Sequence, residues 1–135
     1  MEGIHEATVL VRLYVMKGIN LTPADPEGSS DAYLKVKMGN KEYDDRDNYV
    51  EDSNSPGFWK HFDFTTKLPG PSILTIQIWD YDGLGDDLIG ETLLDVERRW
   101  FSKEWQKLSK GTDVKLPIEE RCLWIGTSTV SQGKL

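Results

Sequence analysis

The stretch Ile73-Leu74-Thr75-Ile76-Gln77-Ile78-Trp79-Asp80-Tyr81-Asp82-Gly83-Leu84-Gly85-Asp86-Asp87-Leu88-Ile89-Gly90 decides the fold. Its first half alternates, with Leu74, Ile76 and Ile78 on one parity, which marks a strand with one buried face. The chain then breaks into a tight loop and resumes as a second predicted strand, Leu88 to Val96. Four acids, Asp80, Asp82, Asp86 and Asp87, fall within eight residues. Carboxylates a few ångströms apart repel strongly at low effective dielectric, so this loop destabilises the fold unless something positive compensates. A hard cation is the simplest compensation, and Asp side chains with backbone carbonyls are the ligand set that calcium prefers. Asp and Gly are also ordinary turn formers, and the loop alone leaves both readings open.

Upstream, Phe58, Phe62 and Phe64 share one parity in another predicted strand, broken by Lys67-Leu68-Pro69-Gly70-Pro71. Glu51 to Gly57 is a long turn, and the polar run Lys41 to Val50 reads as an exposed strand. Before it, Gly39-Asn40 is a hairpin turn closing a strand over Tyr33 to Met38. There Leu34, Val36 and Met38 face inward, and Tyr33, Lys35 and Lys37 face outward. Asn20 to Asp31 is a Pro/Gly/Ser-rich loop carrying two more acids, Asp25 and Asp31. Ala7 to Met16 is a strand with Val9, Val11, Leu13 and Val15 on its buried face, preceded by a disordered start over residues 1–6. Short strands separated by Pro/Gly/Asp turns predict an antiparallel β-sandwich.

Asp95 to Leu108 departs from this pattern. Trp100, Phe101, Trp105 and Leu108 gather near one helical face, with Arg99, Lys103 and Lys107 on another. Such a helix either packs its aromatic face on its own sheet or lies on an anionic membrane. Beyond it, Lys115 to Ile118 and Leu123 to Ile125 read as short strands, and Gln132 to Leu135 as a strand cut off at its start.

The 135 residues fit one domain, 1–135. No run of about 18 apolar residues and no apolar run behind a basic amino terminus is visible, so the chain reads as soluble and intracellular. A lone cysteine, Cys122, forms no internal disulfide and no zinc cluster. The formal charge of -7 argues against nucleic acid as the main partner. It leaves membranes open, because bound cations reverse the field of an acidic site.

Taken together, Leu21-x-x-x-Asp25-x-x-Gly28-x-Ser30-Asp31-x-Tyr33, Asn54-Ser55-Pro56-Gly57-Phe58-Trp59, Trp79-Asp80-Tyr81-Asp82 and Asp87-Leu88-Ile89-Gly90-Glu91 resemble the signature of the C2 domain, in the right order and from about Thr8 onward. Asp45-Arg46-Asp47-Asn48-Tyr49, Asp86 to Thr92, Asp95 to Arg99 with Ser102-Lys103, and Pro117 to Trp124 look like the later C2 domains of ferlins, large tail-anchored proteins associated with calcium-dependent membrane fusion and repair. The resemblance implies an eight-stranded antiparallel Greek-key β-sandwich of type II topology, with a short helix near 97–108 and a truncated last strand. It implies one to three calcium ions held by Asp25, Asp31, Asp80, Asp82 and Asp87, with backbone carbonyls of Ala24 and Tyr81. Asp87 takes the usual C2 place counted back from Gly90, but the loop is one residue shorter than usual, which leaves Asp86 as the alternative ligand. Ala32 stands where Pro is common, and the tip Gly83-Leu84-Gly85 lacks the basic residue often found there.

The resemblance also implies a module that binds anionic phospholipid on the cytoplasmic face of a membrane, within a larger tail-anchored protein and alongside other proteins of a fusion machinery. Leu84 either inserts among acyl chains or covers the protein's own core, and Lys35, Lys37 and Lys41 are candidates for headgroup contacts. A calcium-independent protein- or phosphoinositide-binding module is the alternative. A metal-dependent hydrolase fits poorly: the two histidines, His5 and His61, lie away from the acidic loops, and neither a base nor a small-molecule substrate is evident.

Overall fold

Alternation along each strand sets which side chains meet between the sheets. A computed structural model describes residues 7–21, 30–100, 121 and 123. Six strands run through them: β1 (Ala7–Lys17), β2 (Ala32–Met38), β3 (Lys41–Asp44), β4 (Gly57–Leu68), β5 (Ile73–Asp80) and β6 (Asp87–Asp95). All pairings between these strands are antiparallel, with β1 on β4 in one sheet and the order β3-β2-β5-β6 in the other. Val15, Phe58, Phe62 and Phe64 of the first sheet and Leu34, Val36, Leu74, Ile76, Ile78 and Ile89 of the second form one buried cluster, so the molecule is the expected sandwich.

Two details of the second sheet place the site. Ile78 pairs with Gly90, but the register then shifts, so that Trp79 pairs with Leu88 and Asp80 with Asp87. Without this bulge Leu88, not Asp87, would stand opposite Asp80. Bulges re-aim side chains in this way beside functional sites. On the other edge of β5, Ala32 of β2 pairs with Asp80, which puts the start of β2 at the same end of the sheet.

The predicted strand over Lys41 to Val50 is corrected. β3 ends at Asp44, and Arg46–Asn48 is a 3-10 turn. Local polar bonds compete with the ladder: the Arg46 amide donates to the Asp44 carboxylate (3.1 Å), and the Asn48 side chain donates to that of Asp45 (2.7 Å). Val50 then bridges back to Ala32. Tyr33, expected to face outward, lies on the outer side of β2 but is buried there, beneath groups that belong to the site.

The helix expected near 97–108 begins as α1 (Val96–Trp100). The Glu97 amide donates to the Asp95 carboxylate (3.0 Å), and the Val96 amide to the Ser72 carbonyl (2.9 Å). The remaining expectations, for a helix continuing to 108, a disordered start at residues 1–6, and strands at Lys115 to Ile118 and at Gln132 to Leu135, fall outside the described residues, as does Cys122. Leu123 is fully buried in the core. Among the described residues no helix is long and apolar enough to cross a membrane.

The inward face carries the stability. Phe64→Ala, removing a fully buried ring between the sheets, is expected to cost about 3–5 kcal/mol. Leu10→Ala on the exposed face of β1 should stay within about 0.5 kcal/mol. Urea unfolding followed by tryptophan fluorescence measures both, and similar losses at the two positions would refute the assigned facing.

Candidate functional site

Three neighbouring strands deliver one acid each to the same end of the sandwich. Asp31 immediately precedes β2, Asp80 ends β5, and Asp87 opens β6 opposite it. The Asp31 amide donates to the Asp80 carboxylate (2.9 Å), and the Tyr81 amide donates to the Asp31 carbonyl (2.8 Å). The Asp31 carboxylate in turn accepts from the Asp52 amide (2.8 Å). Asp52 adopts the left-handed region, φ 52°, so the turn over residues 51–55 bends its backbone toward Asp31. Asp82 stands exposed in the loop of residues 81–86.

Asp31, Asp80, Asp82 and Asp87 repel one another without a paired cation among the described residues. Burial pushes the Asp80 carboxyl above its usual range, and the charges of Asp31, Asp87 and Asp82 push it further, against the opposing effect of the Asp31 amide. None of Asp31, Asp80, Asp82 and Asp87 forms an ion pair among the described residues. Hard carboxylate and carbonyl oxygens suit a calcium ion. As they stand, no three acidic, histidine or cysteine side chains among the described residues converge on one point. Asp25 and Ala24, expected in the same shell, lie outside the described residues.

Asp86 differs from its neighbours. One oxygen accepts from the Tyr33 hydroxyl (2.6 Å) and the Arg46 Nε (2.7 Å), and the other from the amides of Asp82 (3.1 Å) and Gly83 (3.3 Å). Arg46 first, then Tyr33 and the Asp82 amide, hold this carboxyl well below the usual carboxylate range. Burial, followed by the bond to Asp86, pushes the Tyr33 hydroxyl well above its ordinary value. Tyr33 and Arg46 enter the sequence analysis only as motif and strand positions, with no role assigned at the site. The available signal was energetic, since a carboxylate packed in an acidic loop demands a nearby cation.

Leu84 is fully exposed at the loop tip, so it covers no part of the core. From the tip a shallow groove lined by Tyr33, Lys35, Arg46, Trp79 and Leu84 runs along the outer sheet face. Lys35 lies over the Trp79 ring (4.3 Å) and near Asp44 (3.9 Å), Lys41 over Tyr43 (4.9 Å), and Lys37 is exposed. His61 packs against Tyr14 on the other sheet, and His5 lies outside the described residues.

Residues 9–112 match the model of the C2 domain family. Fer-1-like protein 4 of Mus musculus is 40% identical over 95 residues, 70% of this chain. Myoferlin of Xenopus tropicalis is 35% identical over 104 residues, 76% of it. The chain spans only 5% of the length of either relative. Among solved structures, the calcium-bound pair of C2 domains of extended-synaptotagmin 2 superposes with a TM-score of 0.71 at 21% identity, covering 93% of this chain and 42% of that one.

Because the folded state raises the Asp80 pKa, ionising this group opposes folding, and its contribution falls as pH rises from the unfolded pKa through the folded one. Asp80→Asn keeps an acceptor for the Asp31 amide without the charge. In chelator at pH 7 the variant should melt above the wild type, with the gain narrowing as acid neutralises Asp80 in both states. Calorimetric scans across pH check this, and a lower melting temperature for the variant at pH 7 would contradict the assigned strain.

Proposed function

This chain belongs to the C2 domain family, and from that premise we propose that it is a calcium-dependent phospholipid-binding module of a ferlin-like membrane fusion or repair protein. The observation that carries the reading is the uncompensated set of Asp31, Asp80, Asp82 and Asp87 at one end of the sandwich, with Asp80 already held above its usual pKa range. These four carboxylates, with Asp25 and the carbonyls of Ala24 and Tyr81, would hold one to three calcium ions. Asp87 is the better ligand than Asp86, because the register shift sets it against Asp80 while Asp86 is occupied by four donors. When bound, calcium neutralises the pocket and offers open coordination positions to lipid phosphate.

The chain's own residues do the rest. The Asp31 amide on the Asp80 carboxylate ties the start of β2 to the end of β5, which holds the two residues at one end of the sheet. Leu84 stands out from the tip, where an apolar side chain enters the acyl region once the charge beneath it is neutralised. Lys35, Lys37 and Lys41 add headgroup contacts. The module acts on the cytoplasmic face of a membrane, as a binding domain and not a catalyst, within a longer tail-anchored chain that brings further fusion proteins.

The spread of the described carboxylates favours one second reading, a calcium-independent module that uses the Lys35, Lys37 and Lys41 surface for phosphoinositide or protein contacts. Co-sedimentation with vesicles separates the two. Pelleting with phosphatidylserine vesicles only when calcium is present, and not with phosphatidylcholine alone, is the expected result. Asp82→Asn should raise the calcium needed by about tenfold or more, since affinity follows ligand charge count. Equal pelleting in chelator would favour the second reading. Saturating calcium should also raise the melting temperature, because it binds only the folded pocket.

A further inference from the structure

We propose that Arg46 is a positioning residue for the loop of residues 81–86, fixing both of its ends before any ion arrives. The tip of the loop has little rigidity of its own: it contains Gly83, at φ 86°, and Gly85, whose surroundings are open. Arg46 comes from outside it, on the 3-10 turn after β3. That turn is itself anchored, since the Arg46 amide donates to Asp44 (3.1 Å) and the Asp45 amide to the Leu34 carbonyl of β2 (2.9 Å).

From this support the guanidinium reaches both flanks. Its Nε donates to Asp86 at the end of the loop (2.7 Å), and its plane lies over the Tyr81 ring at the start (4.4 Å). The same ring stacks on Tyr49 (4.3 Å, 8° between planes), and Tyr33, buried on β2, gives Asp86 a second donor. Asp86 passes the restraint inward through the amides of Asp82 and Gly83.

An isolated surface ion pair would contribute little. This pair differs because the Asp86 side chain is only 11% exposed and carries a full set of donors. Among the described residues, Arg46 therefore supplies the cation that lets the loop keep its shape while Asp82 and Asp87 remain available. A loop ordered in advance loses less entropy on binding, and groups that orient metal ligands typically contribute about 10–100-fold to metal affinity.

The loop arm of the test needs no metal, whereas the affinity arm rests on the calcium reading above. In chelator, hydrogen exchange at the amides of Asp82 and Gly83 should be at least about tenfold faster in Arg46→Gln than in the wild type, with β5 and β6 unchanged. Arg46→Lys, which keeps the charge and loses the plane, should recover part of the protection. Tyr33→Phe, removing one donor and no charge, should give a smaller acceleration and serves if Arg46→Gln folds poorly. Calcium titration by calorimetry should be about tenfold weaker in Arg46→Gln. The double variant R46Q/D86N should be no weaker than the worse single variant, because the two residues act through one contact. Exchange at wild-type rates in Arg46→Gln overturns the proposal, as does wild-type calcium affinity in a variant whose loop has loosened. If the wild type takes up no calcium, the calcium reading falls and the exchange comparison alone decides the role of Arg46.

Discussion

Like-charge repulsion at the end of β2, β5 and β6 is the constraint around which this domain is arranged. Carboxylates brought together by strand pairing cannot move apart without breaking the ladder, so the fold must hold them against their own field. It does so with backbone donors: the Asp31 amide on Asp80, the Asp52 amide on Asp31, and the Asp82 and Gly83 amides on Asp86. Of Asp31, Asp80, Asp82, Asp86 and Asp87, Asp86 alone also pairs with a cation among the described residues, Arg46. Asp31, Asp80, Asp82 and Asp87 form no ion pair among the described residues, so their charge is held by backbone donors and by distance alone.

The frame that bears this strain is the apolar contact between the sheets. Leu34 and Val36 of β2 and Ile76 and Ile78 of β5 are buried against Phe62 and Phe64 of β4. A close-packed interior of this kind does not deform continuously, so the positions of Asp31 and Asp80 are set by residues several pairs away. The bulge between Ile78 and Trp79 then makes the last adjustment, trading Leu88 for Asp87 opposite Asp80.

The strands were legible in the sequence because period-two alternation encodes burial directly. Val9 to Val15, Leu34 to Met38, Phe62 and Phe64, and Leu74 to Ile78 all lie on the faces that their parity assigns. The acids were legible as a group because four of them in one short loop is a chemical anomaly whatever the fold. The polar run after Lys41 was misread because alternation carries no information where neither face is apolar, and side chains of Asp44 and Asp45 bonded to their neighbours end the strand. Arg46 and Tyr33 escaped for a related reason. Their roles depend on contacts to Asp86 across 40 and 53 residues of chain, and nothing local at either position announces them.

That contact also separates the two adjacent aspartates at the end of the loop. Successive residues of extended chain direct their side chains to opposite sides. Asp87 is the first residue of β6 and stands across from Asp80; Asp86, one step earlier, turns to the outer face, where Tyr33 and Arg46 wait. Here one acid, Asp86, is paired internally with Arg46, and the neighbouring Asp87 forms no ion pair among the described residues. The two carboxylates therefore do not share one environment: the geometry that anchors Asp86 to Tyr33 and Arg46 leaves Asp87 across from Asp80.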